Sequence, residues 1–112
     1  MKKRIYICSP LRGNVEANIQ RARRLCLEAI EQGVAPFAPH AFYPLFMDPE
    51  DPDQDQTSIE CGLEWLNACN EVWVDSRDGT TAGMETELRI AKVLQRPIVY
   101  PAWKTPALGM AA

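Results

Sequence analysis

Hydrophobic positions recur along this chain with two periods, a short one typical of strands and a longer one typical of helices. Four runs rich in β-branched and aromatic residues predict strands at 4–8, 34–37, 72–74 and 97–100. Between them, apolar residues recur at intervals of three and four, which predicts three amphipathic helices. Because strand and helix alternate, we predict an α/β fold: a three-layer, Rossmann- or flavodoxin-like domain with a four- to five-stranded parallel sheet.

The helix boundaries follow from capping residues. The first helix begins after Asn14 and ends at Gly33, and its arginines lie mostly off the apolar stripe, which favours solvated charge. Thr57 opens Thr-Ser-Ile-Glu, a capping box that predicts a second helix running to about Cys69, and Thr81 caps the third. The predicted buried positions are Val15, Ile19, Ala22, Cys26, Ala29 and Ile30, then Ile59, Leu63, Trp65 and Leu66, then Met84, Leu88, Ala91 and Leu94.

The segment 39–56 is long for a connection between a strand and a helix. It holds four prolines and many acids, and its apolar residues are Phe42, Tyr43, Leu45, Phe46 and Met47, with Ala41. Long loops of this kind often bind ligands or close over them, whereas a proline-stiffened loop can also pack its aromatic side chains onto the core. The sequence leaves both interpretations open.

Length and composition restrict the function classes. The 112 residues fit one domain, 1–112, with an irregular tail at 101–112. A net charge of -3 argues against a wide basic face for duplex nucleic acid. No apolar run would span a membrane, and the run at 5–8 is too short for a signal peptide, so we expect a cytoplasmic protein. The four cysteines lack metal-binding spacing, which predicts reduced thiols, no metal and no cofactor.

Ligands of parallel sheets bind at the carboxyl ends of the strands, near the point where the strand order reverses. Three segments are expected to meet there: SPLRG after strand one, the segment from Pro39, and DSRDGTTAGMETE after strand three. In SPLRG, Ser9 offers a hydroxyl, Arg12 a planar donor, and Gly13 close backbone approach beside a helix N-terminus. An anion site and a solvated turn both fit these residues.

Other polar residues near these strand ends have two interpretations each. Glu87 lies at the edge of the third helix's apolar stripe, where it is either a nucleophile facing the strand ends or a carboxylate that stabilises a helix start. Asp75 and Asp78 either hold ribose hydroxyls or form a turn. His40, the single histidine, is either a base or sugar ligand, or a structural residue.

Four segments carry a family resemblance, in the order YICSPLRG, PHAFYP, GLEWLNACNEVWV and GMETELRIAKVLQRPIVY. Together they resemble the nucleoside 2-deoxyribosyltransferase-like superfamily, above all its small, often phage-associated members. The likeness to the 2'-deoxynucleoside 5'-phosphate N-hydrolases is more distant. The resemblance covers residues 4–101 and implies cleavage of the bond between a base and deoxyribose by a carboxylate that attacks the anomeric carbon.

The resemblance also assigns roles. The family's catalytic Glu stands in a Gly-x-x-x-Glu-Leu-x-x-Ala pattern, which Gly83, Glu87, Leu88 and Ala91 match. The resemblance therefore implies that Glu87 is the nucleophile and that Tyr6 orients it or the sugar. Taken with the positional arguments above, the expected substrate-binding residues are Ser9, Arg12, Gly13, His40, Asp75, Asp78, Thr81, Gly83 and Met84.

One position departs from the family's pattern. The N-hydrolases carry an Asp before the Leu-Glu-Trp-Leu stretch, where it assists the leaving base or the sugar hydroxyl, and this chain has Gly62 there. The candidates to replace it are His40, Asp75 and Asp78. The departure bears on catalysis more than on ligand binding.

Two function hypotheses follow. The first is an N-glycosidase or deoxyribosyltransferase that acts on a (deoxy)nucleoside or its 5'-monophosphate, and Arg12 favours the monophosphate. The second is a non-catalytic nucleotide-binding or sensing module of the same fold, which Gly62 favours. We also expect a homodimer or larger homo-oligomer, because relatives often complete their sites with a neighbouring subunit and a short, open chain gains from burying more surface.

Overall fold

The sheet is four-stranded and entirely parallel. The computed structural model describes residues 1–107. Its strands are β1 (Arg4–Cys8), β2 (Ala35–Phe37), β3 (Glu71–Val74) and β4 (Ile98–Val99). They lie in the order β2-β1-β3-β4, and every neighbouring pair is parallel. The predicted α/β fold is therefore confirmed, with four strands in its sheet.

Helices cover both faces of this sheet. They are α1 (Val15–Glu31), α2 (Pro39–Phe42), α3 (Pro52–Ala68) and α4 (Ala82–Val93), with a 3-10 turn at Tyr43–Leu45. Because side chains alternate along a strand, Ile5 and Ile7 of β1 join the core cluster against α1, whereas Tyr6 and Cys8 join the cluster against α3 and α4. Sheet and helices thus form three layers.

The strand order creates a crevice beside β1. β1 pairs with β2 on one side and with β3 on the other, so the connections to β2 and on to β3 run in opposite directions across the sheet. Right-handed crossovers then put α1 on one face and α3 with α4 on the other. The loops after β1 and β3 separate at their carboxyl ends, which is where α/β sheets of this kind bind ligands.

The predicted start of the second helix is wrong. This helix, α3, begins at Pro52, because the Asp51 side chain accepts hydrogen bonds from the backbone N–H groups of Asp53 and Gln54. The Thr57 hydroxyl lies inside the helix and donates to the carbonyl of Asp53. Two local sequences obey capping rules here, and the one with proline at the first helical position begins the helix.

The segment 39–56 is therefore largely ordered into α2, the 3-10 turn and the first turn of α3. Tyr43 packs into the interior, whereas Phe42, Leu45 and Phe46 stay exposed. Within α3, Leu66 is fully buried, whereas Ile59 and Trp65 are 40% and 50% exposed, against the prediction.

One arginine of α1 contradicts the prediction of solvated charge. Arg21 is 2% exposed, and its guanidinium contacts Asp75 at 2.8 Å and Asp78 at 2.7 Å. The buried side of α1 also lies slightly off the predicted stripe, because Leu25 is fully buried and Ile30 is 52% exposed. The Arg21 side chain of α1 therefore points towards the two carboxylates that follow β3.

Between residues 100 and 107, the chain after β4 packs against the α1 face without forming a helix or strand. The Trp103 indole N–H donates to the carbonyl of Val74 at 2.8 Å. The Glu28 carboxylate accepts from the backbone of Lys104 and Thr105 at 2.7 and 2.8 Å. The rest of the predicted tail, residues 108–112, lies outside the described residues.

Candidate active site

A cavity of about 530 Å³ opens at the carboxyl end of the sheet. Its wall comes from β1, the loop after β1, α2, α3 and the first two turns of α4. The side chains and backbone in this wall include Tyr6, Arg12, His40, Asp55, Gly62 and Glu87. This size falls within the roughly 300–1,000 Å³ typical of small-molecule sites.

Glu87 is the buried carboxylate of this cavity. It lies in the second turn of α4, directly over β1, and is 8% exposed. The Tyr6 hydroxyl donates a hydrogen bond to its Oε2 atom. The Cys8 thiol lies 3.8 Å from its Oε1 atom and donates to it. Tyr6 and Cys8 reach the same carboxylate because residues two apart on a strand point to the same face.

Burial sets the ionisation of this group. Burial raises the pKa of Glu87 to about 7, although the hydrogen bonds from Tyr6 and Cys8 act in the opposite direction. Burial and the neighbouring carboxylate raise the pKa of both Tyr6 and Cys8, so both remain protonated donors at neutral pH. A carboxyl group with a pKa near 7 can act as an ionised nucleophile and also as an acid or base.

Gly62 of α3 lies beside Tyr6, the residue that donates to this carboxylate. A Cβ atom at this position would lie 3.4 Å from the Tyr6 hydroxyl and 3.5 Å from the Cβ of Pro39. These are ordinary van der Waals contacts, so a Cβ atom fits at this position beside the Tyr6 hydroxyl. The site therefore has no carboxylate where the resembled hydrolases carry an Asp.

A charged pair lies further along the same wall. The Arg12 guanidinium, in the loop after β1, contacts the Asp55 carboxylate of α3 at 2.6 Å. The Asp55 side chain is 19% exposed and the Arg12 side chain 50% exposed. His40 lies nearby, and burial lowers its pKa to about 4, so its imidazole is neutral at physiological pH.

The comparisons with known proteins bear on the family and on the fold. The sequence profile of a family described as "Domain of unknown function (DUF7768)" matches residues 3–101. The chain belongs to this family. No curated protein matches the chain.

Among solved structures, this DUF7768 chain is similar to a 2-deoxyribosyltransferase from the psychrotolerant bacterium Bacillus psychrosaccharolyticus. The sequences are 15% identical, the TM-score is 0.63, and the alignment covers 85% of this chain and 69% of that chain. At this identity the likeness shows a shared fold. It agrees with the fold that the sequence resemblance implied.

About half of the site residues predicted from the sequence of this DUF7768 chain lie together in the structure. Those that line the cavity are Tyr6, Arg12, His40, Thr81, Gly83 and Glu87. Thr81 also caps α4, where its side-chain oxygen accepts from the backbone N–H of Met84 at 3.2 Å. The cavity therefore joins three of the loops that follow strands, as the topology predicts.

The other expected site residues lie outside the lining of this cavity. Met84 is fully buried in the core between α4 and the sheet. Asp75 is 1% exposed and binds Arg21 and Arg77, so its carboxylate is already used in ion pairs. The rest are Ser9, which is buried, Gly13, which has a φ of 103°, and Asp78, which contacts Arg21.

The sequence did not predict two residues of the site: Asp55, which lines the cavity, and Cys8, which donates to Glu87. Asp55 was hidden because the helix start was assigned to Thr57, which left Asp55 in a loop. Cys8 had a usable signal, since it lies two residues after Tyr6 on β1 and shares its face. Across residues 1–107, no group of three or more His, Cys, Asp or Glu residues could hold a metal ion. No helix in that range is long and apolar enough to cross a membrane.

Proposed function

We propose that this protein cleaves or transfers the N-glycosidic bond of a (deoxy)nucleoside or nucleoside 5'-monophosphate, with Glu87 as the nucleophile. The observation that carries the proposal is a buried carboxylate that receives hydrogen bonds on both oxygens and lines a cavity of small-molecule size. The fold shared with a 2-deoxyribosyltransferase gives independent support for a nucleoside as the ligand.

In the first step, ionised Glu87 attacks the anomeric carbon of the sugar. A bond forms between a carboxylate oxygen and this carbon, the carbon–nitrogen bond breaks, and the electron pair leaves with the base. The transition state resembles an oxocarbenium ion, whose positive charge a nearby carboxylate stabilises. The Tyr6 hydroxyl fixes the orientation of the carboxylate through its bond to Oε2.

The departing base needs a proton, and the two cavity positions considered for this role, Gly62 and His40, do not supply an acid. Position 62 carries no side chain, and the pKa of His40, about 4, leaves its imidazole without an acidic proton at pH 7. We infer that solvent at the cavity mouth supplies this proton. Departure of the base is then the slow part of the reaction, because general acid catalysis is typically worth about 10²–10⁴-fold.

The second step regenerates the enzyme. Water or an acceptor base attacks the anomeric carbon, the bond to Glu87 breaks, and the carboxylate takes back its electron pair. Water gives hydrolysis and an acceptor base gives transfer. Two displacements at one carbon retain its configuration.

A non-catalytic binding module is the second candidate function. Gly62 favours it, because glycine offers the leaving base no acid while the cavity is still present. On this hypothesis the ligand occupies the same cavity without turnover, and the raised pKa of Glu87 makes binding depend on pH near neutrality.

The test is base release from a panel of ribo- and deoxynucleosides and their 5'-monophosphates, followed by chromatography with and without an acceptor base. Glu87→Gln should abolish release and keep affinity, whereas Glu85→Gln, an exposed carboxylate on the same helix, should retain both. Release by the Glu87→Gln protein would refute the nucleophile. Binding without release by the wild type would establish the binding module instead.

A further inference from the structure

The cavity wall is dominated by negative charge. Its carboxylates are Asp48, Asp55, Glu60 and Glu87. Within the described residues 1–107, Arg12 is the one cation that lines it, since the pKa of His40 keeps that residue neutral. A cavity with several carboxylates and one arginine repels anions and therefore favours a cationic or uncharged ligand over an anionic one.

The single arginine is already paired. Arg12 and Asp55 approach to 2.6 Å, which satisfies the cation that would otherwise hold a phosphate. Asp55 is held in place by the start of α3, where its backbone N–H donates to the carbonyl of Asp51 at 2.9 Å. The pairing carboxylate therefore sits on a rigid element, whereas Arg12 extends from a loop.

We infer that Asp55 is a specificity-determining residue that makes the site select an uncharged nucleoside over its 5'-monophosphate. This inference rests on the proposed function. A phosphate with close to two negative charges at neutral pH must either displace Asp55 from Arg12 or lie beside it. The pair is partly exposed and weak, so breaking it costs little, and most of the discrimination arises because the charge of Asp55 offsets the attraction of Arg12 for the phosphate. This inference is opposite to the preference for the monophosphate that Arg12 alone suggested in the sequence.

The experiment compares kcat/KM for a deoxynucleoside and its 5'-monophosphate in wild type, Asp55→Asn and Asp53→Asn. Wild type should prefer the nucleoside by about tenfold or more. Asp55→Asn frees Arg12 and should narrow that preference by about tenfold. Asp53→Asn makes the same charge change in the same exposed helix turn, outside the cavity lining, and should leave the ratio unchanged.

A double variant, Arg12→Gln with Asp55→Asn, separates a released arginine from a simple loss of negative charge. It should lose the gain in monophosphate use that Asp55→Asn shows alone. A wild type that uses the monophosphate as well as the nucleoside would overturn the inference. Equal ratios in wild type and Asp55→Asn would overturn it too.

The outcomes distinguish this inference from the proposed function. If wild type releases no base from either compound, the catalytic proposal fails, and calorimetric binding of the same two compounds still tests the role of Asp55. A nucleoside preference that Asp55→Asn narrows would then support selection without turnover. Absence of binding by both compounds would overturn both proposals.

Discussion

Glu87→Gln replaces a buried ionisable group by a neutral one of the same shape, and we expect it to stabilise the protein at alkaline pH. The carboxylate is 8% exposed, and burial raises its pKa to about 7. Glutamine can still accept the hydrogen bond from Tyr6 through its amide oxygen, so the variant keeps that contact. The difference in stability therefore reports on the charge.

The magnitude follows from the pKa values of the two states. A rise from 4.5 in the unfolded chain to about 7 in the folded one corresponds to about 3 kcal/mol. Below pH 4.5 both states are protonated, so wild type carries no penalty. As pH rises through 7, the unfolded state has released its proton and the folded state resists doing so, and wild type loses stability. Above this range Glu87→Gln should exceed wild type by about 3 kcal/mol.

The assay is urea unfolding followed by tryptophan fluorescence, since Trp73 and Trp103 are both buried. It is run at pH 5 and at pH 8.5 on wild type, Glu87→Gln and the exposed control Glu85→Gln. We expect a clear gain for Glu87→Gln at pH 8.5 and a small one at pH 5. An equal difference at both pH values, or an equal gain in Glu85→Gln, would refute the assignment of a buried, titrating carboxylate.

Three further predictions follow from the same contacts. Tyr6→Phe removes a donor that stabilises charged Glu87 by about 1.5–3 kcal/mol. The pKa of Glu87 should therefore increase, and the acid limb of the pH profile for base release should move to higher pH by about one to two pH units. Gly62→Asp should raise base release by about 10²-fold or more, because it adds an acid beside the Tyr6 hydroxyl. Arg21→Met should lower the free energy of unfolding in urea by about 3 kcal/mol, because it removes one cation from fully buried Asp75.

Each of these has a matched control. Tyr43→Phe removes a hydroxyl from the same cavity wall and should leave the pH profile in place. Gly62→Ala adds the Cβ without the acid, so an equal rate gain there would contradict the leaving-group argument. Arg24→Met changes an exposed arginine on the same helix, and a loss of stability as large as that of Arg21→Met would count against the buried pair.

The pairing of Tyr6 with Glu87 was implied by the family resemblance, and two regular periods in the sequence agree with it. Tyr6 alternates with Ile5 and Ile7 on β1, and Glu87 shares a helical face with buried Met84 and Ala91. The strand period directs Tyr6, and the helix period directs Glu87, into the interface between the sheet and α4. The alternation of strand and helix predicts a parallel sheet, and a parallel sheet of this kind binds ligands at the carboxyl ends of its strands.

The rest of the site depended on choices that local rules do not decide. Both Asp51 and Thr57 satisfy capping preferences, and only the Asp51 start places Asp55 on the helix wall of the cavity. The partner of Arg21, Asp75, lies 54 residues away, so its burial has no local signal. Likewise, Arg12 in a turn suggests an anion site, and the local sequence does not show that Asp55 of α3 lies beside it.

The most direct test of the central claim is mass spectrometry of the protein after reaction with a 2'-fluoro deoxynucleoside. The fluorine slows both displacements by destabilising the oxocarbenium-like transition state, so the nucleoside carries a base that leaves without a proton, such as 7-methylguanine, which keeps formation of the adduct faster than its hydrolysis. The account predicts a mass increase equal to one fluorinated sugar, on the peptide that contains Glu87, and no increase in Glu87→Gln. Base release without an adduct at Glu87, or an adduct on a different residue, would contradict it.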